Sequence, residues 1–333
     1  MSDLNYTPAS DRYEKGMRYR RCGRSGVLLP EISLGLWHNF GDVDSYPNAR
    51  AIAHYAFDHG ITHFDLANNY GPTAGSAEET FGRLMQKSFA SYRDEMFIAT
   101  KAGHDMWPGP YGSWGSRKHL MSSLEQSLKR MHLDYVDVFY SHRYDPDTPL
   151  METLQTLVDM VRQGKALYVG LSKYPLEQAA EAYAYLEAQH VPCLVYQGRY
   201  NMFVRDPERL GILSQAAEHG AGFVAFSPLA QGLLTDRYLH GIPEDSRMAR
   251  NAFLKKDVLT DKMLEQIVSL GGLAQERGQT LAQMALAWLL KDEAVTSVIV
   301  GASSVNQLQN NLEALRQTDF TTEELERINC ILD

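Results

Sequence analysis

Eight short apolar runs, separated by longer amphipathic segments, follow one another along the 333 residues of this chain. Runs that are apolar on both faces are typical of strands covered by helices on one side and by a packed interior on the other. Regular alternation of such strands with helices implies a parallel sheet. The predicted strands are residues 32–37, 62–67, 96–102, 136–142, 166–172, 193–197, 222–229 and 297–303.

The segment after the third run illustrates the helical pattern. Its apolar residues Leu120, Leu124, Leu128 and Met131 recur at helical spacing, and Ser116 precedes them as a candidate N-cap. A doubly wound open sheet is the alternative architecture, but its dinucleotide signature G-x-G-x-x-G occurs nowhere in the sequence. We therefore predict an α/β fold of the (β/α)8 TIM barrel type.

Two segments interrupt the regular alternation. Residues 18–30, RYRRCGRSGVLLP, predict an N-terminal β-hairpin that closes the bottom of the barrel. The polar stretch from Leu234 to Thr260 predicts a long loop after the seventh strand, and loops of this length usually carry function. Because no linker, repeat or low-complexity tract interrupts the chain, we predict one domain over residues 1–333, with residues 1–17 as an N-terminal extension.

The overall charge and the cysteines exclude several classes of function. A formal net charge of -9 argues against general binding to nucleic acid or to anionic lipid. The three cysteines, Cys22, Cys193 and Cys330, are too few and too scattered for a disulfide framework or a Cys-based metal site, and no metal is predicted. The N-terminus lacks the apolar core of a secretory signal, and no stretch approaches the ~20 apolar residues of a membrane span. We expect a cytoplasmic protein.

Four polar residues stand where a barrel of this type has its active site, at the carboxyl ends of the strands. Asp65, Lys101 and His142 lie at the ends of the second, third and fourth runs, and Tyr70 follows the second run. A tyrosine with a pKa near ~10 needs a neighbouring cation to become a better acid, which Lys101 supplies. Asp65 then provides the counter-charge that a buried ammonium requires.

His142 is placed to hydrogen-bond the same carbonyl oxygen. Since this set contains neither a nucleophile nor a metal, the electrons must come from a cofactor as hydride. Taken alone, a Lys–Asp pair at strand ends is more often a structural ion pair, and a single histidine there is usually a satisfied polar residue. A further alternative is a barrel isomerase or aldolase in which Lys101 forms a Schiff base.

Several motifs in order resemble the aldo-keto reductases from about Tyr19 to about Leu315. They are GITHFDLANNYG (60–71), IATKAG (98–103), YSHR (140–143), GLS (170–172), FSPLAQGLLTDRY (226–238) and GAS (301–303). The resemblance implies an NADP-dependent oxidoreductase that reduces the carbonyl group of small aldehydes. It also implies a catalytic tetrad formed by Asp65, Tyr70, Lys101 and His142, with Tyr70 as the proton donor.

The segments KAGHDMWPGPYGSWGSRK, PLAQGLL and GIPEDSRM resemble most closely a bacterial subgroup that reduces L-glyceraldehyde 3-phosphate. This implies that L-glyceraldehyde 3-phosphate is reduced to glycerol 3-phosphate, with methylglyoxal as a secondary substrate, in a homo-oligomer. The subgroup is related to the β subunits of voltage-gated potassium channels. A cofactor-sensing regulatory subunit of a membrane protein is therefore the alternative, although those proteins commonly have Asn at the position of His142.

The resemblance also implies the residues that bind NADP(H). Ser172 and Gln197 match the pair that holds the nicotinamide carboxamide, and Phe226 matches the aromatic residue that stacks on the ring. Arg237 and Arg247 match basic positions near the cofactor phosphates, although exposed arginines are often only solvated. The other implied contacts are Trp37, Ser227, Leu229, Gln231, Gly232, Leu234, Gly301, Ser303, Gln307 and Asn311.

Three positions depart from the wider family. Gln307 stands where many members have an arginine for the phosphate, and Asn310 stands where a glutamate often meets the adenine. Lys173 stands where an asparagine is common. NADPH rather than NADH stays the expectation, because the guanidinium groups of Arg237 and Arg247 can bind the phosphate on the adenosine ribose of NADPH bidentately.

Aromatic residues predict the mouth of a substrate pocket for a small carbonyl compound. The same aromatics also fit a structural role in packing the loops against each other. A phosphorylated aldehyde would need a cation, for which Arg143 and Arg117 are candidates. The predicted substrate contacts are Trp37, Tyr70, Trp107, Tyr111, Trp114, His142 and Arg143.

Overall fold

Eight parallel strands close into a barrel in the computed structural model, which describes residues 6–236 and 260–333. Strands β3 to β10 neighbour one another in chain order, and β10 pairs with β3 through Val298 and Ile32. The predicted (β/α)8 barrel is confirmed. The strands are β1 (Tyr19–Arg21), β2 (Leu28–Pro30), β3 (Ile32–Gly35), β4 (His63–Asp65), β5 (Phe97–Ala102), β6 (Val136–Ser141), β7 (Ala166–Ser172), β8 (Cys193–Arg199), β9 (Gly222–Phe226) and β10 (Val295–Val300).

Helices cover the outside of the barrel and connect its strands. Within the described ranges they are α1 (Tyr46–Asp58), α2 (Ser76–Leu84), α3 (Arg117–Met131), α4 (Leu150–Arg162), α5 (Leu176–Ala188), α6 (Asp206–Arg209), α7 (Ile212–Glu218), α8 (Asp261–Glu276), α9 (Leu281–Leu290), α10 (Val305–Leu312) and α11 (Thr322–Leu332). The predicted N-cap of α3 is confirmed, because the Ser116 hydroxyl accepts a hydrogen bond from the amide of His119 at 3.2 Å.

The alternation of side chains along each strand separates two apolar layers. Residues such as Phe64 and Ile98 face the helices, whereas Ala99 faces the barrel interior. Lys101 lies two residues beyond Ala99 on the same strand and therefore also projects inward. The interior layer is formed by Cys22, Leu29, Ala99, Val138, Tyr140, Leu194, Val195, Val224 and Ile299.

The predicted N-terminal hairpin is also confirmed. Strands β1 and β2 are antiparallel, with Tyr19 opposite Pro30. The Cys22 thiol donates a hydrogen bond to the Leu194 carbonyl at 3.3 Å, and the amide of Arg24 bonds to Gly220 just before β9. Because these partners lie at the amino ends of the barrel strands, the hairpin closes the end opposite the candidate site.

The predicted long loop between Leu234 and Thr260 lies almost entirely outside the described residues. The described chain resumes at Thr260, whose hydroxyl caps α8. No helix in the described part of the chain combines the length and the apolar character needed to cross a lipid bilayer.

Candidate active site

The four residues of the predicted tetrad meet at the carboxyl end of the barrel. Asp65 ends β4, Lys101 lies near the end of β5, and His142 directly follows β6. Their strands are neighbours in the barrel, with Asp65 opposite Ala99 and Lys101 opposite Tyr140. The register of adjacent parallel strands therefore brings together side chains that are far apart in sequence.

A buried ion pair forms the floor of the site. The Lys101 ammonium donates hydrogen bonds to Asp65 Oδ2 and to the Leu66 carbonyl, both at 2.6 Å. Gln197 Nε2 donates to the other oxygen of Asp65 at 2.9 Å. Lys101 and Asp65 are 0% and 2% exposed. Because water cannot solvate them, each charge is stabilised by the other and by these hydrogen bonds.

Tyr70 lies above this pair. Its hydroxyl is 3.4 Å from Lys101 Nζ, and the ammonium is 5.0 Å from the centre of its ring. Burial of the hydroxyl raises the pKa of Tyr70 well above its usual value, and the Asp65 carboxylate raises it further. The expectation of a net shift towards a more acidic phenol is wrong for this arrangement, because burial and the Asp65 carboxylate outweigh the Lys101 ammonium. Tyr70 is therefore a protonated phenol near neutral pH.

His142 is almost fully buried beside Tyr70. The centres of the two rings are 6.0 Å apart. Burial first, and then the Lys101 charge, lower the pKa of His142 well below its usual value, so the imidazole is neutral. Its Nδ1 atom has no hydrogen-bond partner among the described residues. A neutral imidazole with an unpaired nitrogen can hydrogen-bond the oxygen of a ligand.

A cavity of about 380 Å³ opens next to Asp65 and Tyr70. Many predicted cofactor contacts line it, namely Trp37, Phe226, Ser227, Leu229, Gln231, Gly232, Gly301, Ser303 and Gln307. Other lining residues were not predicted: Gly35, His38, Asn39, Pro228, Thr235, Ile299 and Val300. Most of them adjoin predicted positions at the ends of β3, β9 and β10, so including the residues next to each strand end would have identified them.

A strained turn follows β9 along this cavity. Ser227, Ala230 and Gln231 have φ values of 54°, 47° and 59°, in the left-handed region that residues other than glycine rarely adopt. Such strain is commonly found at ligand-binding sites. The Ser227 carbonyl accepts hydrogen bonds from Asn201 Nδ2 at 2.9 Å and from the amide of Ala230 at 3.0 Å, which hold the turn in place.

Four other predicted cofactor residues that the structure describes do not line the cavity directly, namely Ser172, Gln197, Leu234 and Asn311. Ser172 and Asn311 are buried, and neither Ser172 Oγ nor Asn311 Nδ2 has a hydrogen-bond partner within the described ranges. Leu234 packs into the hydrophobic core. Arg237 and Arg247 lie outside the described residues.

Of the two cations predicted to bind a phosphorylated substrate, Arg143 lies next to the tetrad. Its guanidinium stacks on Trp114 at 3.5 Å and donates to the Gly103 carbonyl at 2.8 Å. Arg117 is instead exposed and paired with Asp159.

Trp107 and Tyr111 contact His119 of α3, Trp107 through its ring and Tyr111 through its carbonyl. These contacts give both aromatics a packing role.

Sequence reasoning missed His104, whose ring centre is 4.4 Å from that of His142. Within the described ranges, no group of three or more His, Cys, Asp or Glu residues is arranged to hold a metal ion.

Comparison with known proteins identifies the family. The family model for the aldo/keto reductase family matches residues 31–333. The chain belongs to the aldo/keto reductase family. L-glyceraldehyde 3-phosphate reductase of Escherichia coli O157:H7 is 56% identical over 323 residues, which cover 96% of this chain and 93% of the relative. The protein of the same name from Escherichia coli strain K12 is 54% identical with the same coverage.

A more distant relative belongs to another functional class. A probable voltage-gated potassium channel subunit beta of Arabidopsis thaliana is 37% identical over 305 residues, which cover 90% of this chain and 91% of the relative. The resemblance read from the motifs is therefore confirmed. This aldo/keto reductase is an oxidoreductase, and members of its family generally use NAD(P)H.

Proposed function

We propose that this protein reduces small aldehydes to alcohols with NADPH and that Tyr70 protonates the carbonyl oxygen. The observation that carries the proposal is the position of the Tyr70 hydroxyl, which lies at the cavity next to the buried Lys101–Asp65 pair. When bound, the nicotinamide would supply the hydride to the carbonyl carbon. The chain's own groups then have to bind, orient and protonate the other reactant.

The residues around the cavity fit a nicotinamide cofactor. Ser172 Oγ, Gln231 Oε1 and Asn311 Nδ2 have no hydrogen-bond partner in the described part of the chain, and all three are at positions implied to contact the cofactor. Buried polar atoms are normally satisfied, so such unpaired atoms favour a polar ligand. Phe226 provides the apolar face on which a nicotinamide ring would stack.

The raised pKa of Tyr70 suits a proton donor. The phenol keeps its proton until the carbonyl oxygen gains negative charge, and an alkoxide is a stronger base than a phenolate. The Lys101 ammonium, 3.4 Å away, then stabilises the phenolate that forms. His142 is neutral and orients the carbonyl oxygen through a hydrogen bond.

For the physiological substrate we propose L-glyceraldehyde 3-phosphate, which would be reduced to glycerol 3-phosphate. The names of the two Escherichia coli relatives support this choice. Methylglyoxal is proposed as a secondary substrate because it is also a short carbonyl compound. A single domain, a cytoplasmic location and a homo-oligomeric assembly remain proposals.

The channel-subunit relative supports a second candidate, a cofactor-sensing regulatory subunit of a membrane protein. The complete set of Asp65, Tyr70, Lys101 and His142 favours catalysis. Turnover of a small aldehyde would decide between the two functions.

The test is an NADPH oxidation assay over short and phosphorylated aldehydes, with Tyr70→Phe as the variant. Removing a general acid typically lowers kcat by about a hundredfold to ten-thousandfold. We expect a loss in this range, with the dissociation constant for NADPH unchanged because the ring itself is retained. Full activity of Tyr70→Phe would contradict the role of the phenol.

A further inference from the structure

A second cationic residue lies near the tetrad, on the side of His142. Lys173 directly follows β7, and its Nζ atom is 3.1 Å from Nε2 of His104. The ring of His104 is in turn 4.4 Å from the ring of His142. Among the described residues, no carboxylate pairs with Lys173, so its ammonium has no counter-charge there.

We propose that Lys173, held in place by His104, binds the phosphate group of a phosphorylated aldehyde at the mouth of the active site. The inference rests on the proposed reductase function, because it assigns one end of the substrate of that same site. The carbonyl end would lie at Tyr70 and His142, and the phosphate end at Lys173.

The hydrogen-bonding state of Lys173 supports this role. An ammonium group has three donors, and His104 accepts one of them. The other two have no partner within the described ranges and are available to phosphate oxygens. The residue is exposed, so a ligand can reach it from the mouth of the site.

The other two candidate cations, Arg143 and Arg117, are less available. The Arg143 guanidinium donates to the Gly103 carbonyl and to Ser113 Oγ, and it also stacks on Trp114. Arg117 is paired with Asp159 at the start of α3. Arg143 also lies 3.8 Å from Asp105, so of these three cations Lys173 is the one without a carboxylate partner among the described residues.

Lys173 lies close to the cavity that borders Tyr70. Its ammonium is 5.5 Å from the centre of the Phe226 ring, which lines the cavity. In a glyceraldehyde phosphate, four bonds separate the carbonyl carbon from the phosphorus. Its two ends can therefore contact different residues, and in this proposal the carbonyl oxygen binds at Tyr70 and the phosphate at Lys173.

The local electrostatics favour an anion. Although the side chain is exposed, desolvation of the ammonium by the protein atoms around it, and then the Lys101 and Arg143 charges, lower the pKa of Lys173 to about 8. Burial and the Lys173 charge lower the pKa of His104 to about 4, so its Nε2 lone pair accepts from the ammonium. A phosphate with close to two negative charges would relieve the repulsion among these cations.

Lysine is not at this position for conformational reasons. Lys173 has a φ of 57°, a left-handed conformation that asparagine adopts more readily. The charge and the length of the side chain therefore distinguish Lys173 from the asparagine that is common in the wider family.

The test compares Lys173→Met, which removes the charge and keeps most of the length, with the unaltered protein. The readout is kcat/KM for glyceraldehyde 3-phosphate divided by kcat/KM for glyceraldehyde. We expect this ratio to fall by about tenfold to a hundredfold, the range for a lost hydrogen bond to a charged group. Lys173→Arg should restore most of the ratio, and Arg117→Met, which removes an already paired cation, should leave it within about twofold.

A binding experiment tests the same inference without turnover. Titration with inorganic phosphate, followed by tryptophan fluorescence, should show weaker binding to Lys173→Met than to the unaltered protein. If Lys173→Met lowered kcat/KM equally for both aldehydes, the ratio would be unchanged and the inference would be overturned. Absence of turnover in the unaltered protein would contradict the proposed function instead, and the phosphate titration would still test Lys173.

Discussion

At the scale of single residues, the site depends on a lysine and an aspartate that are both removed from water. Lys101 makes its shortest contacts with Asp65 Oδ2 and the Leu66 carbonyl, and burial lowers its pKa while Asp65 opposes this effect. Substituting one partner leaves the other charge buried without compensation. The pair therefore contributes to the stability of the barrel as well as to the proposed chemistry.

We predict that Lys101→Met lowers the free energy of unfolding by about 3–5 kcal/mol, because Asp65 keeps a buried negative charge. The double variant Lys101→Met with Asp65→Asn should recover part of this loss, since the amide oxygen that replaces the carboxylate is uncharged and can still accept from Gln197. Urea unfolding of the single and double variants measures the coupling. Additive effects of the two substitutions would show that the ion pair has no such role.

At the scale of elements, the hairpin of β1 and β2 depends on one close backbone approach. Gly23 has a φ of 57°, and a Cβ atom added there would lie 2.0 Å from the Gly220 carbonyl oxygen. Because this atom belongs to the backbone before β9, it cannot move away as a flexible side chain can. Gly26, in the same turn, has nothing within 4 Å of an added Cβ.

We predict that Gly23→Ala lowers the free energy of unfolding by more than about 2 kcal/mol, because both the positive φ and the contact oppose a side chain. Gly26→Ala is the matched control and should stay within about 0.5 kcal/mol of the unaltered protein. Thermal unfolding of both variants checks the difference. Equal melting temperatures would contradict the close packing of the hairpin on the barrel.

At the scale of the whole molecule, buried histidines link stability to pH. His63 is 0% exposed inside the barrel, where its Nδ1 pairs with Ser33 Oγ at 2.8 Å. Burial lowers its pKa to about 4, below the ~6.5 of an unfolded chain. The folded state thus binds fewer protons, and its stability is present above pH ~6.5 and is lost as the pH falls through the interval down to about 4.

We predict that each pH unit in this interval costs up to about 1.4 kcal/mol for His63, so His63→Asn should flatten the pH dependence of unfolding. His132→Asn is the control, because His132 is exposed and its left-handed φ of 55° also suits asparagine. Urea unfolding between neutral and acidic pH measures both slopes. If His63→Asn kept the original slope, the assignment of a neutral, buried His63 would fail.

The sequence by itself determined a helix-covered parallel sheet, because apolar runs alternating with amphipathic segments bury both faces of every strand in that way. The absence of G-x-G-x-x-G then favoured the barrel over a doubly wound open sheet. It also predicted the tetrad positions, since side chains that end consecutive strands must meet at one end of the barrel. Two properties could not be predicted from the sequence: the acidity of Tyr70 and the role of Lys173.

Only the tertiary structure decided those properties. The pKa of Tyr70 depends on burial and on how far Asp65 neutralises Lys101, which requires distances and not residue types. The proposed role of Lys173 depends on its ammonium, which lies beside His104 and has no carboxylate partner in the described part of the chain. The succession of strands and helices along the chain follows from local sequence pattern. The pKa of a residue, and whether its charge is paired, depend on contacts between residues that are distant in sequence.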